Sequence, residues 1–137
     1  MFRTLDLSTT GLIAQRHRMD TIAGNIANIN TTRDEKGNPA PYQRRFVTFM
    51  AEQERKLAEG RGTGVVFNVE IDRATAPRKV YQPGHPDADA DGLVAYPSIE
   101  VTKEFVNAIE ASRAYEANLA AIDITKAMYT ETLKILT

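Results

Sequence analysis

Apolar residues recur every seven positions at both ends of the chain, and alternate with polar ones in the middle. From Arg3 to Ile29, Leu5, Leu12, Met19 and Ile26 form one column. Ser8, Gln15, Ile22 and Ile29 form a second, three residues on. This predicts a helix with a heptad-like seam whose second column turns apolar only in its later half. No proline interrupts it, but Gly11 and Gly24 lie inside, each costing about 1 kcal/mol relative to alanine. The stripe is narrow, so this helix needs a partner surface.

From Ser98 to Leu136 the seven-residue spacing returns. Ala108, Tyr115, Ile122, Tyr129 and Leu136 form one column; Phe105, Ser112, Leu119, Lys126 and Leu133 form the other. Ser98, after Pro97, is the expected N-cap, with Glu100 favoured in the first turn by the helix dipole. At 1.5 Å per residue the two helices reach roughly 40 and 55 Å, too long for the core of a small compact domain. Such stripes usually mean intramolecular core. Here they exceed what a small β-element can cover, so contact with neighbouring subunits is expected as well.

The region from Asn30 to Pro97 holds all six prolines and six of the eight glycines, so it is not continuous helix. Strand signals lie at Arg44 to Met50, at Val65 to Ile71 with a period of two, at Lys79 to Gln82 and at Leu93 to Tyr96. Thr32 to Pro41 and Gly60 to Gly64 read as loops. The expected architecture is α+β: two long terminal α-helices packed as a coiled-coil-like pair, with a small antiparallel β-rich element between them. The segments are 1–30, 31–97 and 98–137.

Composition narrows the chemistry. With 17 basic and 18 acidic residues in 137, the net charge of −1 gives no electrostatic case for nucleic acid or an anionic membrane surface. There are no cysteines, which excludes disulfides, thiolate zinc sites and thiol nucleophiles. No stretch matches the run of about 20 apolar residues that a membrane helix needs. Met1 to Gly11 shows no apolar h-region, so no cleaved secretory signal is expected. No nucleophile is paired with a base by any motif, so the chain reads as a non-enzyme without a cofactor.

One local motif points to metal chemistry. Asp87-Ala88-Asp89-Ala90-Asp91-Gly92 copies the first half of an EF-hand loop. The second half fails, because position 12, where a bidentate Glu belongs, is Ser98, and Pro83 and Pro86 remove the entering helix. A weak calcium module therefore stays as an alternative to an acidic turn that caps its own backbone, with Gly92 at positive φ. A generic coiled-coil adaptor is the other alternative. His17 and His85, the only histidines, have no supporting ligand pattern.

Three segments together resemble the flagellar axial proteins, and among them the rod subunits. Gly24-Asn25-Ile26-Ala27-Asn28-Ile29-Asn30-Thr31 is similar to the N-terminal signature of that family. Tyr81 to Val94 resembles a central loop that separates one rod subunit from its relatives. Glu104-Phe105-Val106, followed by Ser112-Arg113-Ala114-Tyr115-Glu116-Ala117-Asn118, resembles the C-terminal signature.

The resemblance implies a structural subunit of the proximal rod of the flagellar basal body. It implies export through the flagellar type III apparatus without a cleaved signal peptide, and assembly in the periplasm into a helical tube that transmits torque. Partners would be further copies, other rod proteins, the rod-to-ring junction protein and the inner-membrane MS ring, without membrane insertion. The interface residues expected from the seams are Leu12, Met19, Ile22, Ile26, Tyr115, Leu119 and Ile122. Asn25, Asn28, Arg113 and Asn118 are the expected polar register-setters, since buried polar groups must find partners.

Overall fold

The computed structural model describes residues 2–34, 36–51 and 64–136. The elements run α1 (Phe2–Ala27), β1 (Arg45–Ala51), β2 (Val65–Ile71), β3 (Arg78–Tyr81), β4 (Leu93–Tyr96) and α2 (Val101–Leu136). The architecture is α+β, with two small antiparallel two-stranded sheets between a shorter and a longer helix. The Gly60 to Gly64 reading lies, up to residue 63, outside the described residues. No described helix is long and apolar enough to cross a membrane.

Contacts divide the chain into two compact units. Unit 1 comprises Met1–Met19, Val47–Asn68 and Ala108–Thr137; unit 2 comprises Asp20–Phe46 and Val69–Asn107.

In unit 1, the α1 and α2 segments run antiparallel. The side chain of Asn118 lies over Gly11, and Arg18 pairs with Glu110 at 3.2 Å. The Thr10 hydroxyl accepts a bond from the backbone N–H of Val65, where β2 begins. His17 stacks on Phe67 of β2, ring centroids 4.2 Å apart. Ser8, Ala14 and Ala111 are the buried positions of this seam. Small residues there let two helix backbones approach closely.

In unit 2, β3 and β4 pair in register Arg78↔Tyr96, Lys79↔Ala95, Val80↔Val94 and Tyr81↔Leu93. Val94 is completely buried. The period of two decides which strand residues face inward, since successive side chains point to opposite faces. At Gly92 φ is +73°, where any side chain is strained, and a Cβ would lie 3.0 Å from Tyr81 Cε2. Only glycine closes that turn without displacing the neighbouring strand.

Both helix ends differ from the sequence reading by a few residues. The helix α1 stops at Ala27, where the Asn28 side chain bonds back to the Gly24 carbonyl and accepts from the Thr31 hydroxyl. The Gly24 carbonyl thus accepts twice, from the Asn28 backbone N–H and from its side chain. The helix α2 starts at Val101, and Ser98 is not its cap. The first helical bond runs from Glu104 N–H to the Glu100 carbonyl, so Glu104, not Glu100, is the acidic residue of the first turn.

The segment Thr32 to Pro41, read as a loop, has its described residues in a small hairpin. Arg33 and Pro39 form an isolated antiparallel bridge, Ala40 N–H bonds to the Thr32 carbonyl, and Tyr42 N–H to the Thr31 carbonyl. Asp34 builds its tip: one oxygen accepts from the backbone N–H groups of Lys36 and Asn38, and Gly37 takes φ +81°.

Candidate functional site

In a chain with two long helices, the sites to find are where the helices are held and which faces they leave open. In unit 2 the end of α1, the start of β1 and the first turn of α2 meet at one buried side chain, Asn25. Its Nδ2 donates to the Arg45 carbonyl at 2.7 Å and to Glu104 Oε2 at 3.0 Å. Its Oδ1 accepts from Arg45 N–H at 2.9 Å and from the Tyr42 hydroxyl at 3.3 Å. Two donors and two acceptances use the capacity of an amide.

Glu104, 1% exposed, completes the network. Its other oxygen receives the Arg44 guanidinium, at 2.8 Å from Nε and 2.7 Å from Nη2. A buried carboxylate is tolerated only when paired and hydrogen-bonded, and both conditions hold here. Arg45 carries its own charge outward, over the Tyr42 ring at 5.6 Å.

A second polar cluster in unit 2 joins the central loop to the hairpin. Asp87 accepts from the Thr32 hydroxyl at 2.8 Å and from Arg33 Nε at 2.7 Å. Those bonds, the hydroxyl first and then the guanidinium, hold its carboxyl below the usual aspartate range against the opposing effect of burial. Asp89 turns both neighbours of Gly92 inward, accepting from Asp91 N–H and Leu93 N–H. Asp87 and Asp89 therefore face protein donors. Among the described residues no three His, Cys, Asp or Glu side chains gather as a metal site.

The residues expected at a subunit interface sort by burial. Asn25 and Ile22 are buried. Leu12, Met19, Ile26, Asn28, Tyr115, Asn118 and Ile122 are half-buried, while Leu119 and Arg113 are exposed. Asn118 bonds to the Ala114 carbonyl of its own helix and lies 3.1–3.3 Å from where a Cβ on Gly11 would stand. Large apolar side chains remain open along α2: Phe105 at 55%, Ile109 at 55%, Ile124 at 61% and Met128 at 62%. Apart from Ile22, the buried positions of both helices are thus small or polar, while many of the large apolar ones stay in solvent.

Counting large apolar residues missed Gly11, Ala14 and Ala111 at the seam of unit 1, and Glu104 in the network of unit 2. The spacing Glu104, Ala111, Asn118 is itself seven, a signal that hydrophobicity does not report.

Comparison with known proteins gives this arrangement its family. Residues 5–33 match the family described as Flagella basal body rod protein, and residues 91–135 match Flagellar basal body rod FlgEFG protein C-terminal. The flagellar basal-body rod protein FlgC of Borreliella burgdorferi is 37% identical, over 99% of this chain and 97% of its own length. Those of Bacillus subtilis and Salmonella typhimurium are each 35% identical over 98% of this chain and 97% of theirs. The chain belongs to the FlgC family of flagellar rod proteins. Its two family-matched segments fall on α1 with the hairpin strand that follows, and on β4 with α2. In FlgC terms, the Asn25–Glu104 network joins the two signatures, since Asn25 lies in one matched segment and Glu104 in the other.

Proposed function

We propose that this chain works as one brick in the wall of the flagellar axle, joined to its neighbours through the faces its helices leave open. It is a structural subunit of the basal-body rod, and its role is mechanical rather than catalytic. The observation that carries this reading is the inverted seam: apart from Ile22, small and polar residues are buried, and Phe105, Ile109, Ile124 and Met128 are exposed. A soluble monomer rarely leaves long apolar stripes in water unless something covers them. Neighbouring helices of further subunits are the covering that the rod requires.

Heterologous contacts between identical subunits extend into an open helix rather than closing. Stiffness then comes from many close-packed helix contacts, which resist compression. The finer reading places the rod's proximal part in the periplasm. There the partners are other rod proteins, the rod-to-ring junction protein and the MS ring, reached by type III export without cleavage. Glycines inside α1 and a narrow stripe keep that helix easy to unfold for passage.

Deleting the gene in its native bacterium and imaging the basal bodies tests the reading. The inner-membrane ring should persist while rod, hook and filament are missing. Normal filaments in the deletion strain would end it.

A further inference from the structure

Each helix has an outer stripe opposite its closed seam. At 3.6 residues per turn, Ile13, Arg16 and Asp20 lie on the side of α1 away from Gly11 and Arg18. Arg113, Glu116, Ala117 and Ala120 lie on the side of α2 away from Ala111 and Asn118. All seven outer residues are exposed, Ile13 at 49%. Among the described residues, Arg16, Asp20, Arg113 and Glu116 make no side-chain hydrogen bond or ion pair within the chain. By contrast Arg18, on the seam side, is paired with Glu110.

We propose that the outer stripe of α1 in one subunit docks antiparallel on the outer stripe of α2 in a second copy. Asp20 meets Arg113, Arg16 meets Glu116, and Ile13 sits over Ala117 and Ala120. The inference rests on the rod reading, which supplies the second copy.

Charge order carries it. Read backward along α1, the stripe is acidic, basic, apolar: Asp20, Arg16, Ile13. Read forward along α2 it is basic, acidic, small: Arg113, Glu116, Ala117 with Ala120. The spacings agree, since Asp20 and Ile13 are separated by as many residues as Arg113 and Ala120. The alanines leave a groove into which an isoleucine ridge packs. Direction follows from the subunit. The helices of unit 1 are antiparallel, so copies stacked in one orientation present α1 to a neighbour's α2 in the same antiparallel sense. A parallel register would instead set Asp6 against Arg113. Two complementary pairs fix the register, which a purely apolar stripe does not.

The test is a charge swap in the native bacterium, scored by hook-basal bodies per cell, with the wild-type gene restoring the deletion strain as reference. Asp20→Arg and Arg113→Asp should each lower the count by at least about tenfold, because like charges set opposite one another cost more than that factor. The double variant should return to within about twofold of wild type, the coupling expected of contacting residues. A double variant no better than the singles overturns the proposal. So does recovery of Arg113→Asp by Asp6→Arg in place of Asp20→Arg.

Because the chain has no cysteine, a second readout needs no background removal. Ile13→Cys with Ala120→Cys should form disulfide-linked dimers in isolated basal bodies, and absence of dimers in assembled rods also overturns it. Both failures leave the rod reading standing, since that reading falls only with normal filaments in the deletion strain.

Discussion

The two places where the terminal helices meet close in opposite ways. In unit 1 the contact at Gly11 works by absence: no side chain on α1 lets the Asn118 amide come within van der Waals distance. In unit 2 the contact at Asn25 works by saturation: one amide and one carboxylate use their bonding capacity on Arg44, Arg45, Tyr42 and each other. The difference teaches what each place can tolerate. A close approach fails gradually as volume is added, because the neighbouring amide can shift by a fraction of an ångström. A saturated buried network fails abruptly, because every group left unpaired keeps its desolvation penalty.

The largest expected effect therefore lies at Glu104. Glu104→Ala strands the Arg44 guanidinium and the Asn25 amide, and should cost about 3–5 kcal/mol of stability. Thermal unfolding of the purified subunit checks this. Removing both charges together, as Arg44→Met with Glu104→Leu, should be milder, because it leaves no charge stranded and only one Asn25 N–H without its acceptor. If the double variant is as unstable as Glu104→Ala, saturation is not what governs this contact.

A smaller effect is expected at Gly11. Gly11→Ala gains about 1 kcal/mol of helix propensity and gives much of it back to the Asn118 contact at 3.1 Å, leaving stability nearly unchanged. Gly11→Leu has no such compensation, and should cost about 1–3 kcal/mol through overpacking. The same unfolding series separates the two. Equal losses for alanine and leucine would mean that side-chain volume at this position does not matter.

The same contrast explains which parts of the fold were legible in the sequence. The strand at Val65–Ile71 was readable from its apolar–polar alternation, and that at Leu93–Tyr96 as a short apolar run after a turn. Both helices were readable from seven-residue spacing and from the proline-rich stretch that separates them. Apart from Ile22, the buried helix positions were not, because they are a serine, alanines, an asparagine and a glutamate, and no hydrophobicity count selects them. Asn25 was singled out by its place in a signature, but its partners Glu104 and Arg44 stand far away in the sequence. The cap at Ser98 failed because the chain after the buried Pro97 stays outside the helix through Glu100. The hairpin at 31–42 had a usable signal in Asp34 followed by Gly37 and Asn38, the residues of an Asx turn. The loop reading passed over it.

The smallest effect concerns Asp87, a third kind of contact in which a single carboxylate ties the hairpin to the central loop. Its carboxyl is held below the ordinary value of 3.8, first by the Thr32 hydroxyl and then by the Arg33 guanidinium. A depressed acid binds its proton less readily in the folded chain than in the unfolded one. Its contribution is therefore present above the unfolded value, and is lost as pH falls through the folded one. The tie should be constant from neutral pH down to about 4, the unfolded aspartate range, and loosen only below it.

Asp34 also lies below 3.8, held chiefly by the Asn38 backbone and side chain, so acid weakens the hairpin tip as well. Carboxyl NMR separates the two sites by following each aspartate on its own. Asp87→Asn at neutral pH should loosen Thr32 and Arg33 in hydrogen exchange, while the Asn38 amide, bonded to Asp34, stays protected. Arg33 is half exposed, so global stability should hardly change. An Asp87 midpoint at or above 3.8, or loss of Asn38 protection in Asp87→Asn, would show that the hairpin and the loop are held by something other than this carboxylate.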